Sequence, residues 1–215
     1  MYTSIQTLEG EMKNTTKAIL TTLFFSILIG TTAEAKLPAT WAEFKQEYQI
    51  EAKTPQGALN MLFKGIFCYN KAVQTKNNQL KIDAGKMIRY AIYSETPIES
   101  SPNYSTFRER LNNPDYHYIF RSYCQGTSVD NSYQMDPENF KLDFGKYVNE
   151  GEKAGRKYCQ LFIKSSGADK PRFVRQTREL DGLWYTTKPQ NVYLDVRKPK
   201  SYVIKNMNKH DPDYD

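Results

Sequence analysis

The segment KYCQLFIKSSGADKPRFVRQTRELDGLWYTT, residues 157–187, contains three short runs that each predict a β-strand. In the first run, residues 157–163, every second residue belongs to one aliphatic face, which is the two-residue period of an extended chain. Phe173–Arg178 and Leu183–Thr187 supply two further strands, one on each side of Asp181-Gly182. An Asp-Gly pair between two such runs is typical of a β-hairpin turn.

A fourth strand is predicted over residues 192–197, where apolar residues again occupy every second position until Pro199 ends the run. The four strands follow one another through short connections, so we expect an antiparallel meander. The register of the Asp-Gly hairpin stays open, because a two-residue loop pairs Glu179 with Trp184 and a longer loop shifts that pairing.

Two segments before the strands carry helix-start signals. Thr40, with Glu43 three residues later, is the pattern of a capping box and predicts a helix to Tyr48, with Trp41 on its apolar stripe. Thr54 followed by a proline predicts a second, longer helix. We expect Trp41 and Thr54 to have structural roles.

Further helices are predicted in the next part of the chain. Asp83 is the expected cap of a third helix, and a short helix over Thr106–Leu111 is expected to end at Asn112-Asn113-Pro114. Residues 116–124 fit both a helical face and an aromatic-rich strand, so their structure stays open.

Helices that precede an antiparallel sheet predict the α+β class, with N-terminal helices packed on a C-terminal four-stranded sheet. This arrangement resembles the cone-shaped nuclear-transport-factor-2-like and cystatin-like architectures, and the resemblance is one of fold alone. We expect a single domain over residues 36–204 and a mobile polar tail over residues 205–215. Trp184, after the hairpin turn, is expected to be buried against the helices.

The first 35 residues have the features of a secretory signal peptide. Lys13 and Lys17 flank the start of an apolar run from Ala18 to Gly30, and Ala33-Glu34-Ala35 supplies a small-x-small cleavage site. The apolar run is shorter than the roughly 20 residues that a membrane-spanning helix needs. A cleaved signal is therefore expected rather than a membrane anchor.

The start and the charge of the mature chain follow from this cleavage. Residues 1–11 contain two acids, which is unusual before a signal sequence and makes Met12 the alternative start. Cleavage after Ala35 removes two lysines and three glutamates, so the net charge changes from +6 to +7 for a chain that begins at Lys36. We expect a mildly basic, soluble protein without a membrane span, secreted or periplasmic.

The three cysteines do not form a disulfide scaffold, since at most one pair can form among Cys68, Cys124 and Cys159. Each lies among apolar or aromatic neighbours, which favours buried core thiols, although one disulfide between two of them stays open. Neither a C-x-x-C pair nor a Cys/His spacing for zinc is present in the sequence.

The sequence carries none of the common catalytic or cofactor motifs. Glycine-rich nucleotide-binding motifs are absent, and the only histidines are His117, expected at the surface, and His210 in the tail. The basic residues are dispersed, so nucleic acid is not expected as a partner. We expect no cofactor, no metal and no catalytic residue.

Two polar segments hold the candidate recognition residues. The arginines in these segments have the geometry to bind an anion through two parallel hydrogen bonds. Turn chemistry is the alternative role: Gly167 would have a backbone conformation that disfavours a side chain, and Asp169 would accept hydrogen bonds from its own loop or from an arginine. The candidate ligand-binding residues are Arg121, Tyr123, Ser166, Asp169 and Arg172.

Several short phrases together resemble an uncharacterised domain-of-unknown-function family of mostly bacterial proteins. Their order and spacing over about residues 40–199 carry the resemblance. The phrases are W-x-x-F (41–44), TPQGA (54–58), RSYCQGTS (121–128), NSY (131–133), SGADKPR (166–172), GLW (182–184) and VRKP (196–199). The resemblance implies one domain over most of the mature chain and a bacterial source, and it brings no catalytic residue or ligand.

A signal peptide before a domain without a catalytic constellation favours an exported, non-enzymatic binding or interaction module. Because the chain is basic, its partner is expected to be an anionic envelope component, with another exported protein as the alternative. The competing hypothesis is a small-pocket hydrolase or isomerase in which a carboxylate such as Asp169 acts as acid and base. A desolvated carboxylate in a deep pocket would favour the enzyme.

Overall fold

A computed structural model describes residues 36–93, 98–100 and 103–202, so the expected signal peptide (1–35) and tail (205–215) lie outside the described residues. No helix in the described part is long and apolar enough to cross a membrane. The helices come first in the chain. Their bounds are α1 Trp41–Glu51, α2 Pro55–Thr75, α3 Asn78–Ala91, α4 Tyr104–Asn112 and α5 Tyr118–Arg121, with a 3-10 turn at Ile98–Ser100.

The predicted caps of the first two helices are confirmed. The Thr40 hydroxyl accepts a hydrogen bond from the Glu43 N–H at 3.2 Å, and the Glu43 carboxylate accepts one from the Ala39 N–H at 2.7 Å. Thr54 Oγ1 accepts a hydrogen bond from the Gly57 N–H at 3.0 Å. These bonds satisfy amide groups that a helix leaves unpaired at its N-terminus.

The third helix begins at Asn78, so the prediction that Asp83 caps it is wrong. The Asn77 side chain is the cap, and it accepts a hydrogen bond from the Leu80 N–H at 3.0 Å. Asp83 lies inside α3 and pairs with Lys86 at 3.3 Å. Asn and Asp have the same capping chemistry, and the earlier of the two residues starts the helix.

Residues 116–123 form helix and turns rather than a strand. Helix α5 covers Tyr118–Arg121, and the Cys124 N–H continues the turn by donating to the Arg121 carbonyl at 2.9 Å. An isolated bridge between Cys124 and Leu142 then connects this turn to the segment before the sheet. The aromatic residues of this stretch reflect burial, since Tyr118 and Phe120 lie in the interior.

The sheet has four antiparallel strands that pair in chain order, which confirms the α+β class. The turn between the first two strands contains Ala154 and Gly155 at φ values of 52° and 74°, conformations that suit a tight hairpin. The strands are β1 Phe144–Lys153, β2 Arg156–Ile163, β3 Arg172–Arg178 and β4 Trp184–Lys188.

The predicted strand over residues 192–197 is wrong. This segment starts in a 3-10 turn at Gln190–Tyr193, and the consecutive residues Val192 and Tyr193 are both buried. A strand would direct consecutive side chains to opposite faces, whereas the turn brings both of them to the core. The Tyr193 ring stacks on Phe107 with the ring centroids 4.8 Å apart.

The remaining strand of the sheet is β1, which the sequence pattern did not predict. Its side chains are exposed or half-buried along its whole length. Irregularities interrupt its register with β2 between Phe144 and Tyr147 and between Asn149 and Gly151. A strand without a buried face has no two-residue apolar period, and bulges disturb the alternation further.

The hairpin between β3 and β4 uses the longer of the two connections. Arg178 pairs with Trp184, so Glu179 to Leu183 form the loop. The Glu179 N–H donates to the Leu183 carbonyl at 2.9 Å, and Asp181 Oδ1 accepts from the Leu183 N–H at 2.9 Å. The aspartate therefore fixes the loop through its own backbone, as Asp-Gly turns commonly do.

Helices and sheet meet at β4, where the expected burial of Trp184 is confirmed. The Trp184 N–H donates to the Ala52 carbonyl at 2.7 Å, and the Tyr48 hydroxyl donates to the Trp184 carbonyl at 2.7 Å. Trp41 packs edge-on against Tyr90 with centroids 5.3 Å apart. The core around Trp184 includes the α2 residues Leu59, Leu62 and Phe63.

Candidate functional site

A cleft of about 320 Å³ opens between α2, α3, α4 and the turn at Ile98–Ser100. Helix α3 lines it between Lys81 and Arg89, and α4 lines it between Tyr104 and Asn112. On both helices the lining residues recur at intervals of three and four, so each helix contributes one stripe. We call this feature the cationic cleft.

The wall of the cationic cleft is apolar. Ile88, Phe107 and Leu111 are buried side chains whose outer surfaces form its floor. Ile82 lies at the rim and is 53% exposed. An isoleucine at the mouth of an apolar cleft offers surface that a bound molecule would remove from water.

Three cations line the same cleft. Lys81 Nζ lies 5.5 Å from the centroid of the Tyr69 ring, close enough for a cation–π contact. Arg89 pairs with Glu99 at 3.4 Å, and both side chains are well exposed. Neither Lys81 nor Arg108 forms an ion pair with any residue that the structure describes, and no carboxylate is among the lining residues of this part of the chain. Within the described residues, no ion pair therefore neutralises the positive charges of Lys81 and Arg108.

Polar groups at the end of α4 are held in fixed positions. The Tyr69 hydroxyl donates to Asn112 Oδ1 at 3.1 Å, and Asn112 Nδ2 donates to the Arg108 carbonyl at 2.7 Å. Desolvation raises the pKa of Tyr69, against the opposing effect of nearby Arg108. The phenol is therefore protonated at neutral pH and does not act as a base.

Gly85 keeps the cleft open at its centre. A methyl group placed on its α-carbon would meet only Arg89 Nη2, at 3.8 Å. Glycine weakens a helix interior by about 1 kcal/mol relative to alanine. Helix α3 is therefore less stable than it would be with alanine at position 85, although a methyl group would fit there.

The structure places Tyr123 and Arg172, two of the predicted ligand-binding residues, side by side. Tyr123 is fully buried, and its hydroxyl donates to the Asn191 carbonyl at 3.0 Å. Burial raises the pKa of the Tyr123 phenol, and Arg172 beside it acts in the opposite direction. Arg172 Nη2 donates to the Asp195 carbonyl at 3.4 Å.

Ser166, which is exposed, and Gly167, which is buried, are both fixed by residues distant in sequence. Ser166 Oγ donates to the Ser122 carbonyl at 3.1 Å. Gly167 does not have a left-handed backbone, so that expectation is wrong. A side chain is disfavoured there for another reason: its β-carbon would overlap the Tyr133 hydroxyl, which itself donates to the Arg197 carbonyl at 2.7 Å.

Asp169 and Arg121 lie apart from this group. Asp169 is exposed and forms no hydrogen bond with another described residue, so its expected role as an acceptor within the loop is wrong. Arg121 lines a separate cavity of about 200 Å³ together with Ser132 and Ser201. No hydrogen bond or ion pair of the described residues joins Arg121 or Asp169 to Arg172, and ligand binding by the five candidate residues stays a prediction.

His117 is fully buried, which corrects the expectation of a surface histidine. Its Nε2 donates to the Leu111 carbonyl at 3.0 Å, and its Nδ1 accepts from Gln74 Nε2 at 3.4 Å, an assignment that requires the neutral ring. Desolvation lowers the pKa of His117 to about 4. Both ring nitrogens are occupied, so the side chain is structural.

All three cysteines are buried free thiols, which settles the disulfide alternative. Burial raises the pKa of Cys68, Cys124 and Cys159 to about 12 in each case. A thiol is nucleophilic as the thiolate, and at neutral pH these groups are protonated. Elsewhere in the described ranges, no three His, Cys, Asp or Glu side chains form a group that could hold a metal ion.

A family model described as Domain of unknown function (DUF6935) matches residues 36–200. The chain belongs to this family. The DUF6935 match confirms the expected resemblance to an uncharacterised family, and it covers every residue of the cationic cleft. No curated protein and no solved structure matches the chain, so the likeness to nuclear-transport-factor-2-like or cystatin-like folds stays a prediction.

The residues of the cationic cleft are not among the five candidates predicted from the sequence. The available signal was a basic residue inside an apolar stripe, as in Ile88-Arg89 and Phe107-Arg108. On a single helix this pattern is typical of a long side chain that extends from the core edge to solvent. Only the packing of α3 beside α4 shows that the two stripes of this DUF6935 domain enclose one space.

Proposed function

We propose that this DUF6935 domain is an exported, non-enzymatic binding module that takes a small anionic ligand into the cationic cleft. The observation that carries the proposal is the pair Lys81 and Arg108, which lack a carboxylate partner in the described chain and face an apolar wall. Charges next to apolar surface interact more strongly with an anion than they would in open water, because the local dielectric constant is lower.

The lining of the cleft supports binding over acid–base catalysis. Its polar groups are cations, a protonated phenol and an amide, and no described His, Cys, Asp or Glu lines it. The competing hydrolase or isomerase would need a desolvated carboxylate in a pocket. Asp169, the carboxylate first considered for that role, is exposed and lies outside the cleft.

Export is the second part of the proposal, and it is supported by the sequence pattern of residues 1–35. The basic mature chain favours an anionic component of a bacterial envelope as the source of the ligand. N-terminal sequencing of the protein recovered outside the cytoplasm is expected to start at Lys36. A recovered chain that still contains Ala18 to Gly30 would contradict export by signal cleavage.

Thermal unfolding of the full-length chain in the presence of small anions tests the binding proposal. The probes are benzoate, hexanoate and inorganic phosphate. An anion present at a hundredfold excess over its Kd stabilises the fold by about 2.7 kcal/mol. We expect at least one organic anion to raise the melting temperature.

Two double variants with equal net charge identify the site. Lys81→Gln/Arg108→Gln should weaken anion binding at least tenfold, because charge-assisted bonds contribute about 1.5–3 kcal/mol each. Lys146→Gln/Lys157→Gln removes two exposed charges of β1 and β2, outside the cleft, and should bind as the unaltered chain does. Equal loss in both variants, or in neither, would contradict the proposed site.

A further inference from the structure

We infer that the ligand of the cationic cleft is an amphiphile with one anionic head group and one apolar chain of about eight to ten carbons. This inference rests on the proposed function, and it is carried by the size of the cleft and by the separation of its apolar and basic groups.

The volume of the cleft limits how much of a ligand it can enclose. At about 30 Å³ for each water-sized group, a space of about 320 Å³ holds roughly ten non-hydrogen atoms. A carboxylate with eight to ten carbons has this size. A lipid with two acyl chains is several times larger, so only part of it could enter.

The apolar wall requires more than a bare anion. Ile82 from α3, Ile98 from the 3-10 turn, and Phe107 and Leu111 from α4 line the cleft. An inorganic ion bound to the arginine and lysine would leave this wall in water. A hydrocarbon chain would cover it, including the exposed half of Ile82, and each buried methylene would add to the affinity.

The head group is assigned to the two uncompensated cations. Arg89 already has Glu99 as a partner, and the Tyr69 hydroxyl is committed to Asn112. Lys81 and Arg108 therefore supply the positive charge for the ligand. A carboxylate and a phosphate monoester share this chemistry, since arginine binds either through parallel hydrogen bonds and lysine acts as a point charge.

Titration calorimetry of the full-length chain with a series of alkyl carboxylates tests this inference. From acetate through hexanoate and octanoate to decanoate, the affinity should rise roughly fourfold for each methylene, which is the transfer free energy of one methylene group. Beyond about ten carbons the affinity should stop rising, because the cleft is full. Decanol should bind at least tenfold more weakly than decanoate, and decyl phosphate compared with decanoate distinguishes the two head groups.

Two isoleucine variants separate the contribution of apolar contacts to binding from any general effect on folding. Ile82→Asn should weaken decanoate binding several-fold and leave benzoate and acetate nearly unaffected. Ile50→Asn changes an isoleucine that is 67% exposed and lies outside the cleft, and it should have no effect.

The outcomes distinguish the inference from the proposed function. Equal affinities along the carboxylate series would contradict an apolar hydrocarbon chain on the ligand. If binding is still lost in Lys81→Gln/Arg108→Gln, the anion site of the proposed function stands. Decanol that binds as tightly as decanoate would overturn the anionic head. Absence of binding by every anion would remove the inference and the proposed function together.

Discussion

Two glycines in adjacent helices have opposite surroundings, and substitutions there should have opposite effects on stability. A β-carbon at Gly57 would overlap the Glu51 carbonyl oxygen, so Gly57→Ala should destabilise the fold by about 3 kcal/mol. Gly85→Ala should stabilise it by about 1 kcal/mol, because α3 gains helix propensity and only Arg89 lies within 4 Å. Chemical denaturation measures both values, and a destabilised Gly85→Ala chain would mean that the space beside Gly85 is filled.

A larger side chain at the same position should block the cationic cleft without unfolding the protein. Leucine is a good helix former, and its side chain at position 85 would extend into the cleft. Gly85→Leu should therefore unfold at the same temperature or higher and bind no anion that the unaltered chain binds. Full binding by a folded Gly85→Leu chain would place the ligand elsewhere.

His117 should make the stability of the fold depend on pH. Its pKa of about 4 lies below the value of about 6.5 for an unfolded chain, so the unfolded chain binds the proton first as the pH falls. The stabilisation is fully present above about pH 6.5 and is lost progressively down to about pH 4, by about 3 kcal/mol in total.

The matched control is a variant in which His117 cannot titrate, and the two chains are compared by how their free energies of unfolding depend on pH. His117→Gln keeps one hydrogen-bonding side chain and cannot titrate, so its free energy of unfolding should change less over this pH range than that of the unaltered chain. Parallel curves for the two proteins would show that the pKa of His117 is the same in the folded and the unfolded chain, as for an accessible histidine.

Local bonds at single residues were predictable from the sequence, and distant contacts were not. Thr40 and Thr54 cap their helices through groups three residues away, and such patterns are visible in the sequence. Gly167 is constrained by Tyr133, which is remote in sequence, so the expected cause, the backbone conformation of Gly167 itself, was wrong. His117 is buried by α2 and the end of α4, which flanking tyrosines do not reveal.

At the scale of elements, the β3–β4 hairpin should depend strongly on its tryptophan. Trp184 is buried at the junction of sheet and helices, so Trp184→Ala should lower the free energy of unfolding by about 3–5 kcal/mol. Urea denaturation followed by circular dichroism gives the value. A loss below about 1 kcal/mol would show that the indole does not belong to the core.

The strands also show which elements an alternating pattern predicts. β2 has its buried positions on one face, and its two-residue period is visible in the sequence. β3 and β4 also bury consecutive residues, and they were predicted from the Asp181-Gly182 turn between them. β1 buries no residue, so nothing in its pattern distinguishes it from a loop. The segment after Pro189 has the alternation of a strand, but backbone pairing that would make it one is absent from the described chain.

At the scale of the whole molecule, the candidate site depends on helix packing rather than on a motif. α2 is a largely buried helix, α3 and α4 are amphipathic, and the cationic cleft is lined by residues of all three, including Gly85. The five residues predicted from polar phrases lie around α5 and β3 instead. Sequence reasoning identified conspicuous polar loops, while the open space between helices follows from three-dimensional packing.

Backbone amide chemical-shift mapping of the full-length chain during a titration with decanoate tests the central claim most directly. If the cationic cleft holds the ligand, the largest saturable shifts should fall in residues 81–89 and 104–112. Arg121, Ser166, Asp169 and Arg172 should then show little change. Saturable shifts centred on those four residues, or no saturable shift anywhere in the chain, would contradict the account.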